Sequence, residues 1–115
     1  MKSIFLLLLA FPISISNFQC SKNQKDVPAC VLNKIEEIKA QPKWNPAAEV
    51  NEYNYNGKLT YLFTSDCCDQ YIVLYDESCN YLCAPSGGIT GKGDNKCADF
   101  YTKAVHTRLI WKDPR

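Results

Sequence analysis

The chain has 115 residues, room for a single domain. Thirteen Lys and Arg stand against twelve Asp and Glu without a basic block, which excludes nucleic acid as a partner and any polybasic membrane patch. Seven cysteines in so short a chain point to an oxidising compartment and a disulfide framework.

Met1-Lys2-Ser3 precedes an uncharged apolar block from Ile4 to Phe11. One early Lys followed by ~8 apolar residues is the layout of a secretory signal. It falls well short of the ~20 residues that span a bilayer. Residues 1–19 are therefore expected to be a signal peptide. Cys20, followed by the polar stretch 21–26, resembles the start of a bacterial lipoprotein, whose first mature residue is a lipid-modified Cys. Asn17 and Gln19 depart from the aliphatic and small residues usual before such a Cys. Ser14-Ile15-Ser16 offers the competing small-x-small cleavage site of plain secretion. Cysteine arithmetic favours lipidation: with Cys20 modified, Cys30, Cys67, Cys68, Cys79, Cys83 and Cys97 form an even set for three bridges. Loss of Lys2 with the signal leaves twelve basic and twelve acidic residues, so membrane contact is expected through the lipid alone.

Residues 20–28 are expected to form a tether and 29–115 the domain. Cys30, Val31, Ile35 and Ile38 recur at spacings of three and four, which predicts a helix that Pro42 ends. Two β-rich runs, 50–55 and 58–63, flank Asn56-Gly57, the pair that a two-residue type I′ hairpin demands. That register sets Val50 against Phe63, Glu52 against Tyr61, and Tyr53 against Thr60. Apolar bulk on both faces predicts a pair covered on both sides. Residues 71–75 read as a third strand, 80–84 as a fourth after the turn Asp76-Glu77-Ser78, and 105–111 as a last one. Residues 85–95, with four of the five glycines, read as a loop. The fold class is α+β: one N-terminal helix packed on a small antiparallel sheet of four or five strands, disulfide-stapled.

Cys67 and Cys68 are adjacent, and a bond between neighbours is strained. Each is expected to take a separate partner, which leaves about twelve of the ~15 possible pairings open. Cys67-Cys68 and Cys79-x-x-x-Cys83 could supply zinc thiolates, but export and the absence of a two-residue gap favour disulfides over any metal or cofactor. His106 is the sole histidine and has no designated nucleophile. Asp66, Asp69, Asp76 and Glu77 could suggest a glycosidase pair, yet turn duty accounts for them. Gly87–Gly93 lacks the residue pattern of a phosphate loop, and Asp94, Asn95 and Asp99 lack the spacing of a calcium loop. Tyr53 and Tyr55 could form a binding strip for a sugar or a protein; packing their rings is the alternative use. No catalytic set is legible.

Cys67-Cys68-Asp69-Gln70, Leu74 to Asn80, Cys83 to Asp94, Cys97 and the close Leu109-Ile110-Trp111-Lys112-Asp113 together carry a resemblance. The set resembles an uncharacterised family of small cysteine-rich exported bacterial domains, DUF6970-like, many with lipoprotein-type signals, over residues 29 to 113. The resemblance implies export and disulfides and no activity. A shorter run, Cys83 with Ser86-Gly87-Gly88-Ile89-Thr90 and Cys97, resembles part of a Kazal-type protease inhibitor, with Gly91 standing where that family has Tyr. The expectation is an exported, lipid-anchored, non-catalytic domain that binds a protein or glycan partner in the cell envelope, or a secreted or periplasmic one if Cys20 is unmodified. A serine protease inhibitor and an envelope redox or metal protein are the alternatives.

Overall fold

The computed structural model describes residues 26–115. The signal segment 1–19, Cys20 and the first part of the tether lie outside the described residues.

Helix α1 spans Ala29–Lys39 and buries Val31, Ile35 and Ile38, the stripe that the three- and four-residue spacing predicts. Pro28 opens it, its carbonyl accepting the N–H groups of Val31 at 3.0 Å and Leu32 at 3.2 Å. The helix stops before Pro42, which lacks the N–H needed to continue it. Val27 is buried in the same cluster, so packing begins two residues ahead of the expected start at 29.

Strands β1 (Glu49–Tyr55), β2 (Lys58–Phe63), β3 (Tyr71–Tyr75), β4 (Tyr81–Gly87) and β5 (Val105–Lys112) form one five-stranded sheet, ordered β4-β3-β2-β1-β5. Every pairing is antiparallel. The β1–β2 hairpin has the expected register, and its turn residues Asn56 (φ 53°) and Gly57 (φ 80°) both take the positive φ of a type I′ turn. β4 continues past the expected end at Ala84, because Ser86 and Gly87 still pair with Ile72 and Tyr71. One short helix, α2 (Phe100–Lys103), was not legible in the sequence.

Alternate residues of each strand face opposite sides, and both sides are covered. On one side α1 packs on Val50, Tyr61 and Phe63, with Ile110 and Trp111 of β5 at its flank. On the other, the strap of residues 88–104 lays Phe100 over Leu62 and Leu74. The Phe100 ring meets Tyr53 at 5.0 Å and Tyr55 at 5.3 Å, both edge-on. Tyr53 and Tyr55 therefore pack their rings rather than form an open strip.

The cysteines staple these layers. Cys30–Cys79 ties the start of α1 to the β3–β4 turn, and Cys83–Cys97 pins the strap to β4, each with Cα atoms 6.0 Å apart. That separation lies within the usual disulfide span. The structure does not give Cys67 and Cys68 the separate partners expected: the other four described cysteines pair among themselves, and the sulfurs of these two neighbours face one another. The β2–β3 loop that holds them sits at the opposite end of β3 from Cys79, and the other described cysteines are already paired.

Candidate functional site: a cleft between helix and sheet

α1 runs over β2, β1 and β5 and leaves the outer part of the same face, on β3, half uncovered. A cleft of about 220 Å³ opens there. Lys34 and Glu37, three apart on α1, line it from one flank of the helix, and Gln41 lines it from just beyond the helix end. Tyr71, Val73 and Tyr75 line it from β3, alternate residues of one strand. Trp44 closes one end, its indole N–H donating to Gln41 Oε1 at 3.0 Å. Gln70 adds an amide at the rim.

The rings in this cleft are held in place. Phe63 meets Tyr75 edge-on at 5.4 Å, and Lys34 Nζ stands 4.3 Å from the Tyr75 ring centroid. A cation over an aromatic face contributes about 0.5–1 kcal/mol at an exposed site. The cleft thus offers aromatic surface, two carboxamides and one charge of each sign. That set suits recognition of a partly polar ligand.

The model of a family described as a domain of unknown function, DUF6970, matches residues 36–113. The chain belongs to this family. No curated protein and no solved structure matches it. The match covers the DUF6970 domain from the middle of α1 through β5, and so takes in Glu37, Gln41, Trp44, Gln70 and Tyr71 of the cleft.

In this DUF6970 domain the residues that chemistry suggested from sequence are scattered, and most are engaged by neighbours. The Asp76 carboxylate accepts the backbone N–H groups of Asn80 at 2.8 Å and Ser78 at 2.9 Å, which holds its pKa below the usual carboxylate range. Asp66 and Asp69 are exposed beside the Cys67–Cys68 pair. Asp94 accepts from the Tyr81 hydroxyl, and this bond pushes the Tyr81 phenol up to about 12. Asp99 accepts from Tyr55 and pairs with Lys103. Among the described residues no group of three His, Cys, Asp or Glu is placed to hold a metal ion. His106 has its Nε2 2.8 Å from Asn51 Oδ1, and its ring stands edge-on to Tyr53 at 5.1 Å.

The glycine segment is a tight turn. Gly91 N–H donates to Gly88 O at 3.1 Å, and Gly93 N–H to Gly87 O at 3.0 Å. Ile89 and Thr90 therefore sit at the corner of a turn.

Two features escaped the sequence. The cleft depends on Trp44, which falls in a proline-containing loop, and on which flank of α1 stays free. The second is a buried carboxylate. Glu52 lies on the α1-facing side of β1, where Arg108 Nη2 donates to it at 3.1 Å and Thr107 Oγ1 at 2.7 Å. A register shift in the β1–β5 ladder brings Thr107 and Arg108 onto it together. Burial acts to raise the Glu52 pKa, but the Arg108 and Thr107 hydrogen bonds outweigh it and hold the carboxyl below its ordinary value. The expected register already set Glu52 between Val50 and Tyr61 on an apolar face, and that was the signal.

Proposed function

We propose that this protein is an exported, lipid-anchored, non-catalytic binding domain of the cell envelope, and that the α1–β3 cleft is its ligand site. The cleft is the observation that carries the binding reading. Tyr71 stands 47 % exposed with Trp44 and Tyr75 partly exposed beside it, and Phe63 braces Tyr75 from below, so the cleft presents a group of aromatic rings that a ligand can cover. The export and anchoring reading is supported by the Lys2-led apolar segment and by Cys20, with the remaining cysteines forming an even set.

Two measurements test it. Mass analysis of the protein from its native membrane should find a lipid on Cys20, and Cys20→Ser should release the protein from the membrane. Purified mature protein should bind envelope preparations saturably, and Trp44→Ala should weaken that binding while circular dichroism stays unchanged. Turnover of an envelope polymer, abolished by a cleft substitution, would overturn the non-catalytic assignment.

A further inference from the structure

Tyr71 belongs to two hollows at once. It lines the α1–β3 cleft on one side and, on the other, a hollow of about 510 Å³ bounded by Asp69, Thr90 and Asn95 at the strap. Tyr71 is 47 % exposed. It lies against Gly88, where a Cβ would run into its Cδ1 and Cε1 atoms. Gly88 is itself fixed, its N–H donating to Gln70 O at 3.1 Å. The sheet and the glycine thus hold up an aromatic ring as a ridge between two hollows, each of mixed polar and apolar lining, with Trp44 and Tyr75 in one and Ile89 in the other.

We infer that the two hollows form one groove for an uncharged saccharide chain, with a sugar ring stacked on Tyr71; this rests on the proposed binding function. A sugar ring has an apolar C–H face and a rim of hydroxyls. The groove presents the complement: the Tyr71 ring in the middle, carboxamides of Gln41, Gln70 and Asn95 to either side, and the Thr90 hydroxyl. Carboxamides both donate and accept, as hydroxyls require. The charges argue against an anionic polymer. Lys34 is balanced by Glu37 in one hollow, and Asp69 and Asp94 make the other acidic. An apolar peptide segment is disfavoured because it would bury these polar side chains unpaired.

The test uses the full mature protein and the fluorescence of its tryptophans. It is titrated with oligosaccharides of β-1,4-linked N-acetylglucosamine, β-1,4-linked glucose, α-1,4-linked glucose and α-linked mannose. At least one series should bind saturably, more tightly with chain length. Tyr71→Ala should weaken that binding about tenfold or more, and Tyr71→Phe should keep it within about threefold. Gly88→Ala, which pushes the ring off its seat, should weaken it with the fold intact by circular dichroism. Failure of every series, or Tyr71→Ala binding as wild type does, would overturn the inference. If all sugars fail while Trp44-dependent binding to envelope preparations persists, the saccharide assignment falls and the binding domain stands. If that binding is absent too, both fall.

Discussion

Arg115 and Asp113 lock the last strand onto the end of the helix. The guanidinium donates to the buried Asp113 carboxylate at 2.7 Å and, through its other nitrogen, to the carbonyl of Gln41 at 2.9 Å and of Lys39 at 3.3 Å. The carbonyls in the last turn of a helix have no partner within it, and one planar cation supplies several here. Asp113 N–H in turn donates to Ala48 O at 2.9 Å. A single ion pair therefore joins α1, the start of β1 and the end of β5.

This pair sets an acid limit on stability. The Arg115 hydrogen bond holds the Asp113 pKa at about 2, below its ordinary 3.8. A carboxyl whose folded pKa is depressed stabilises the fold above its unfolded pKa and loses that contribution as pH falls through the folded value. The Tm should drop between pH 4 and pH 2, and Asp113→Asn should start lower and be flatter across that window. Arg115→Ala should lower the Tm at neutral pH. Thermal melts at stepped pH check both; an Asp113→Asn melt as steep as wild type over that window would refute the assignment.

The Glu52–Arg108 pair should behave as a buried ion pair does. Glu52→Ala leaves Arg108, about a third exposed, without its carboxylate and should cost about 1.5–3 kcal/mol. Replacing both, Glu52→Met with Arg108→Met, should recover much of that loss, since a packed hydrocarbon pair needs no desolvation. Urea unfolding of the single and double variants measures the coupling between them.

Much of the fold was legible and the cleft was not, for one physical reason. Period and turn chemistry are local, so the stripe Val31, Ile35, Ile38 and the pair Asn56-Gly57 announced α1 and the first hairpin with the right register. The hollow is a product of tertiary placement. Which flank of α1 stays free, and that Trp44 reaches back to Gln41, follows from where the helix settles on the sheet. That Cys67 and Cys68 face one another was not legible, because pairing is settled by where the fold carries the other cysteines. The other four described cysteines take each other, Cys30 with Cys79 and Cys83 with Cys97, and leave these neighbours facing one another in the β2–β3 loop.

Gly93 and Gly57 both have positive φ, at 72° and 80°, but they should respond unequally to substitution. A Cβ on Gly57 would meet nothing within 4 Å, so Gly57→Ala bears only the left-handed backbone penalty of about 1–2 kcal/mol. A Cβ on Gly93 would fall onto the carbonyl of Ala84, a backbone group that cannot swing aside. Asp94 N–H donates to that carbonyl at 3.0 Å, so Gly93→Ala should also break the contact holding the strap on β4. Its loss should exceed that of Gly57→Ala in paired thermal melts. Equal losses would mean that the strap is not fixed to β4 in this way.

The disulfides should divide the stability very unevenly. In the chain-entropy view a bridge stabilises by restricting the unfolded chain, and the gain grows with the loop it closes. Cys30–Cys79 spans 49 residues of sequence and should contribute about 4 kcal/mol. Cys83–Cys97 spans 14 and should contribute about 3 kcal/mol. Cys67 and Cys68 are neighbours, so a bond between them would close no loop and should contribute almost nothing to global stability. Paired Cys→Ser variants of each bridge, melted under non-reducing conditions, should rank in that order. A large loss on removing Cys67 and Cys68 would show that these residues bond elsewhere, and would send the pairing back to separate partners. Because their loop also carries Gln70 at the cleft rim, the same variant reports on ligand binding. Unchanged stability with weakened binding would assign the pair to shaping the site.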